Sequence, residues 1–187
     1  MDANRQIRSD SALEQCRQGE TAAFARIVQQ HQAMVFSIAF HYLQDRALAE
    51  DLGQEVFLEL YQKLEAIQSD EHLLYWLRRV TVNRCIDQGR RRKHRRETEL
   101  EGLPEPASAG AEIDPLLMQR LRQSLASLPE KQRMVVVLRY QEELGPAEIA
   151  GLLAMPVNTV KSTLHRTLQE LRRTLERKLG EVRYAIF

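Results

Sequence analysis

The chain has 187 residues, 43% of them hydrophobic and 28% charged, and a formal net charge of +1. That balance excludes a disordered chain and suits one large domain or two small ones, with aliphatic cores because aromatics are only 6%. The longest apolar runs, such as Met134 to Leu138, are far too short to cross a bilayer, and Met1 to Gln18 holds no signal-peptide stretch, so a soluble cytoplasmic protein without membrane insertion is expected.

In chain order, the first helical signal is Phe24, Ile27, Val28, His31, Met34, Val35, Ile38 and Tyr42, which recur on a 3.6-residue period. A second helix is expected from about Asp45 to Leu64, with Leu48, Leu52, Val56, Leu60 and Leu64 on one broad apolar side. Its outer sector carries Asp51, Gln54, Glu55 and Gln62 around Leu58. A leucine ringed by polar groups is equally a plain exposed leucine or a small polar-rimmed protein contact. A third helix is expected from about Glu71 into an arginine run. Trp76, Arg79, Asn83, Asp87 and Arg90 share one sector of it, and Leu74, Leu77, Val80 and Cys85 turn toward a core. An aromatic, arginines and an amide on one face can stack on bases and hold phosphates. Trp76 is read equally well as a core aromatic.

Charge is strongly polarised along these elements. Residues 45–71 carry eight acids against two bases, whereas residues 76–96 carry nine bases against Asp87. So many bases in a short span repel one another unless a polyanion neutralises them, which favours a nucleic-acid partner. Residues 97–115 then carry six acids, three prolines and two glycines with no base, the composition of a linker. The expected organisation is therefore all-α, with two small helical domains, 1–96 and 116–187, joined by a flexible acidic linker over 97–115.

The C-terminal part opens with Leu116, Leu117, Leu121, Leu125 and Leu128. Pro129 suits the first turn of a helix running to about Leu144, which Gly145-Pro146 then breaks. A short helix from about Ala147 to Leu153, a turn at Ala154-Met155-Pro156 and a long helix from Val157 to about Leu179 give the spacing of a helix-turn-helix. Val157, Val160, Leu164, Leu168, Leu171 and Leu175 form an apolar stripe on the last helix. Asn158, Lys161, Ser162, His165 and Arg166 lie opposite, where such side chains can reach base edges and phosphates. The plainer reading is an amphipathic surface helix. No stretch alternates as a strand does. No catalytic constellation, metal-ligand pair or cofactor loop is present, so neither enzyme activity nor a cofactor is expected. Cys16 and Cys85 stand outside any CxxC pair and read as reduced thiols, or as a redox switch.

Taken together, these segments resemble the extracytoplasmic-function (ECF) group of the sigma-70 family. Ala49-Glu50-Asp51-Leu52-Gly53-Gln54-Glu55-Val56-Phe57-Leu58 resembles that family's signature for binding core RNA polymerase. Trp76 through Asp87 (WLRRVTVNRCID) resembles its helix for the −10 promoter element, Leu128 to Arg133 the opening of its −35-binding domain, and Pro156 to Ser162 the start of its recognition helix. The resemblance implies core-polymerase contacts by Asp51, Gln54, Glu55, Phe57 and Leu58 on the β′ clamp helices. It implies −10 contacts by Gln68, Ser69, Trp76, Arg79, Asn83, Arg84, Asp87, Arg90 and Arg91, and −35 contacts by Asn158, Thr159, Lys161, Ser162, His165 and Arg166. It further implies docking of the C-terminal domain on the β flap and an anti-sigma factor as regulator. The linker acids then either mimic RNA in the polymerase channel or form a solvated spacer. Asn158 replaces the family's usual Gly, Tyr61 a common Trp, and His165 and Thr167 are atypical, so no promoter sequence follows. The competing reading is a helix-turn-helix regulator that binds an operator without polymerase.

Overall fold

The computed structural model of the chain describes residues 12–98 and 123–185. The linker residues 99–115 and the leucines Leu116, Leu117 and Leu121 lie outside them, as do the side chains of Lys93, Arg95, Arg96 and Leu175.

The N-terminal unit begins with α1 (Ala12–Arg17), which the sequence reading did not anticipate. It is a short helix held by burial of Leu13 and Cys16. α2 (Thr21–Leu43) follows and buries Ala23, Ile27, Val35, Ile38, Ala39, Tyr42 and Leu43 along its inner face. It ends at Gln44, whose backbone is left-handed and whose side-chain amide donates to the His41 carbonyl at 2.8 Å. Asp45 then caps α3 (Arg46–Gln62) by accepting from the Leu48 N–H at 3.1 Å. A 3-10 turn (Leu64–Ala66) leads to α4 (Asp70–Thr98). α2, α3 and α4 pack on one another, and α1 closes the end against α2 and the 3-10 turn. Each fully buried Leu or Ile here, such as Ile27, Leu60 and Leu77, contributes roughly 1.5–3 kcal/mol of transfer free energy.

The C-terminal unit contains a helical turn over 123–126, α5 (Glu130–Tyr140), α6 (Pro146–Leu153) and α7 (Val157–Ala185). Pro129 sits at the N-cap of α5 rather than inside it. α5 stops four residues earlier than expected. Glu143 takes a left-handed backbone and the Leu144 N–H reaches the Leu138 carbonyl at 3.1 Å. Pro146 holds the residue before it, Gly145, in an extended conformation, so the helix cannot run into it. α6 starts with Pro146 in its first turn, and the Gly145 N–H donates to Glu148 Oε2 at 2.8 Å. Ala154 ends α6 at φ 49°, ψ 51°, a left-handed turn that lets α7 cross back over α6. On α7 the inward stripe is Val160, Leu164, Thr167 and Leu171, whereas Val157 and Leu168 are 39% and 38% exposed. The stripe expected from sequence is therefore rotated. Positions 160, 164, 167 and 171 stay in phase with a 3.6-residue turn, and 157 and 168 fall at its margin.

The two units share one apolar cluster. α5 packs on α2 and α4, α6 packs on α4, and Met134, Val135, Val137 and Leu138 join the cluster that holds Ile38, Tyr42 and Cys85.

Candidate functional site

Three faces bring the expected site residues together. The first lies between α2 and α3, which leave an open groove of about 870 Å³. Phe24, Val28 and Phe36 line it from α2, and Gln54, Phe57, Leu58 and Tyr61 from α3. Phe57 is buried in the groove's wall, while Leu58 and Tyr61 are each 60% exposed. Phe24 meets Tyr61 edge to face at 5.2 Å, and the Arg46 guanidinium stands 5.9 Å from the Phe36 ring. Asp51 and Glu55 are exposed but do not line the groove; its one acidic lining residue is Glu50, and Glu55 is paired with Arg84 of α4. An apolar trough with polar edges suits an amphipathic helix. The 3.6-residue period includes Phe24 and Val28 together with Ile27 and Val35 and does not include Phe36. α2 in fact carries two stripes, and Phe24, Val28 and Phe36, at intervals of four and eight residues, form the second.

The second face is that of α4. Ser69 caps this helix by accepting from the His72 N–H at 3.1 Å, and His72 Nδ1 accepts from the Gln68 N–H at 3.1 Å. Ser69 also holds the Glu71 carboxyl below its ordinary range by a hydrogen bond. Trp76 is half-buried and packs against the core. Arg79 donates to Tyr75 Oη at 3.0 Å and to the Gly151 carbonyl at 3.2 Å. Asn83, Asp87, Arg90 and Arg91 are exposed, with Arg90 3.5 Å from Asp87. Asn83, Asp87 and Arg90 line one side of a cleft of about 340 Å³, faced by Lys131 and Leu153.

Arg84 points away from this face. Its guanidinium bonds Glu55 and, at 2.7 Å, Glu59 on α3. Lys63 and then Arg84 hold the Glu59 carboxyl below its ordinary value. Arg92 is likewise tied to the Leu43 carbonyl at 3.1 Å and to Asp45 at 3.3 Å. The charge asymmetry seen in sequence is thus partly internal. Acids of the 45–71 segment pair with Arg84 and Arg92 of the 76–96 segment across the α3–α4 contact, whereas Arg90 and Arg91 are exposed.

The third face is the outer side of α7. Asn158, Thr159, Lys161, Ser162, His165 and Arg166 are all exposed. Ser162 Oγ donates to the Thr159 carbonyl at 3.0 Å, and His165 is 3.0 Å from Gln169. A helix with such side chains on its outer side has the chemistry to enter a groove of duplex DNA. Among the described residues no group of three or more His, Cys, Asp or Glu could hold a metal ion, and no helix is long and apolar enough to cross a membrane. Cys16 and Cys85 are free and buried, and burial pushes both thiols up.

Comparison with known proteins identifies the family of the chain. Residues 27–96 match the family model for Sigma-70 region 2, and residues 118–171 match that for Sigma-70, region 4. The chain is 31% identical over 180 residues to the ECF RNA polymerase sigma factor SigW of Bacillus subtilis, covering 87% of this chain and 94% of that protein. It is 36% identical over 157 residues to the RNA polymerase sigma-E factor of Streptomyces coelicolor, covering 84% and 88%. In fold it is similar to the sigma factor RpoE, solved in complex with the anti-sigma factor NepR from Bartonella quintana, with a TM-score of 0.68, 20% identity and coverage of 82% and 96%. Two sigma regions in order, and relatives aligned over nearly their whole length, show that the chain belongs to the ECF group of the sigma-70 family of RNA polymerase sigma factors.

Proposed function

We propose that this sigma factor works as two readers mounted on polymerase, with residues 1–96 as the region 2 unit, 97–115 as linker and 116–187 as the region 4 unit. The α2–α3 groove, with Asp51, Gln54, Glu55, Phe57 and Leu58, takes the clamp helices of the β′ subunit. Its apolar floor, edged by Glu50 and Gln54, supports that docking. The start of α4 (Gln68, Ser69) and its face (Trp76, Arg79, Asn83, Asp87, Arg90, Arg91) read the −10 element, while Arg84 braces α4 against α3. Asn158, Thr159, Lys161, Ser162, His165 and Arg166 read the −35 duplex, and the region 4 unit docks on the β flap. Two weak DNA contacts on one frame act as a bivalent binder, so each gains from the other once polymerase sets their spacing.

The sigma-70 family is not a class of catalysts; this chain carries no active site of its own, and polymerase supplies the chemistry in the cytoplasm. The co-crystallised relative supports an anti-sigma factor as a further partner. The observation that carries the reading is the ordered pair of sigma regions, with every expected −35 residue exposed on one helix. Run-off transcription with purified core polymerase and a genomic promoter library tests it. New initiation sites are expected on adding the chain. Tight operator binding by the chain alone, with no added initiation, is the result that overturns it.

A further inference from the structure

A chain of ion pairs ties α4 to α3, and Glu59 of α3 stands at its centre. Glu59 uses both carboxylate oxygens. Oε1 accepts from Lys63 Nζ at 2.7 Å, at the end of the same helix. Oε2 accepts from Arg84 of α4, from Nη2 at 2.7 Å and from Nε at 3.2 Å. Arg84 Nη1 donates to Glu55, one turn before Glu59. The Glu59 and Arg84 side chains are only 22% and 34% exposed, so water competes weakly for the pair.

The place of this pair on α4 gives it a consequence for DNA. Asn83 precedes Arg84 by one residue, about 100° around the helix, and Asp87 follows it by three. Leu77, Cys85 and Ile86 of α4 are buried, but apolar burial is non-directional. A planar guanidinium that gives three N–H groups to two carboxylates of α3 is directional, and it fixes how α4 is turned about its own axis. Arg92 also ties α4 to Asp45, but Asp45 caps α3 as well, so its loss would loosen both helices. Beyond Arg84, Glu59 pairs with the exposed Lys63.

We infer, given that this face of α4 reads −10 DNA, that Glu59 is a positioning residue for that reading: through Arg84 it sets the rotation of α4 that presents Asn83 and Asp87. Charge alone predicts the opposite of positioning. Glu59 is an anion on a DNA-binding unit, so by electrostatics its removal strengthens binding to a polyanion. Positioning requires that its removal weaken binding. Arg84 likewise acts by holding the helix and touches no phosphate.

The test uses the full chain with core polymerase and a genomic promoter that the parent chain activates in run-off transcription. Glu59→Gln, Arg84→Met and the double variant are compared at a core concentration that saturates each, well below their thermal midpoints. The affinity of each holoenzyme for the promoter fragment is measured over a range of salt. Each single variant is expected to lose about tenfold in affinity, and the double variant no more than either, because one link is broken in all three. The salt slope is expected to match the parent's. A slope lower by about one for Arg84→Met shows a phosphate contact and overturns the positioning role. Parent-like or stronger binding by Glu59→Gln overturns it too, even if the thermal midpoint falls, since the pair then serves stability alone. Additive losses show two separate effects and overturn the link between them. Asn83→Ala separates the inference from the assignment beneath it. A loss by Asn83→Ala with none by Glu59→Gln sinks the inference and leaves the −10 assignment standing. Parent-like affinity of Asn83→Ala removes the assignment of that face, and the inference with it.

Discussion

Leu58 allows the proposed docking to be tested apart from folding. It is 60% exposed on α3 and its neighbours Gln54 and Glu55 are polar, so a charge there costs the fold little, within about 0.5 kcal/mol. Leu58→Arg is expected to abolish binding to core polymerase in a pull-down while far-UV circular dichroism stays unchanged; retained binding would show that the α2–α3 groove is not the docking face. Ala154 tests a local strain. Its φ of 49° belongs to a region where a Cβ is penalised. Ala154→Gly relieves about 1–2 kcal/mol of that penalty and gives back part of it through a freer unfolded chain, for a net gain of roughly 0.5 kcal/mol. A rise in the urea midpoint checks it. The position was legible in sequence as part of a turn, but only the backbone shows that alanine adopts the left-handed conformation in full.

At the scale of elements, α7 and α4 differ in how much of their role is local. On α7 Val160, Leu164 and Leu171 turn inward and Asn158, Lys161, Ser162, His165 and Arg166 outward, so most of its packing is legible on one helix, although Val157 and Leu168 are exposed and Thr167 is buried. Arg166→Ala is expected to weaken binding to a −35 duplex by about 1–3 kcal/mol if Arg166 reads a base, and nearly equally for all sequences if it holds a phosphate. Titration of a fluorescent duplex against its scrambled counterpart distinguishes these. α4 is different. Its bases looked alike in sequence, yet Arg84 is bonded to Glu55 and Glu59, Arg92 to Asp45, and Arg90 and Arg91 remain exposed. Which arginine braces the helix and which faces outward depends on α3, whose acids lie 25 to 47 residues earlier in the chain.

For the whole molecule, the packing of α5 on α2 and α4 links stability to pH through Glu142. Burial raises its carboxyl above the ordinary value of 4.5, with Ser37 and Arg78 opposing. Arg78 also faces His31, which has Asp70 as its other charged neighbour. A carboxyl whose folded-state value is raised takes up a proton on folding. Its contribution to stability is therefore full below about pH 4.5 and is lost as pH rises through the raised value. Glu142→Gln is expected to remove that loss, read as a urea midpoint that falls less than the parent chain's across that range. Identical pH profiles of parent and variant would contradict the sign.

From sequence alone came the helical class, the two-part organisation, the helix-turn-helix and the outer faces of α3 and α7. Each rests on periodicity and turn chemistry within a span of some twenty residues, where a 3.6-residue repeat dictates which side chains share a side. Tertiary structure alone decided the rest: the second apolar stripe of α2 that completes the groove, the neutralisation of Arg84 and Arg92 by distant acids, and the packing of α5 and α6 over α4. These depend on which surfaces meet. A charge or an aromatic ring carries no mark of its partner until folding brings the two within a few ångströms, where desolvation and pairing decide whether it braces the fold or faces the solvent.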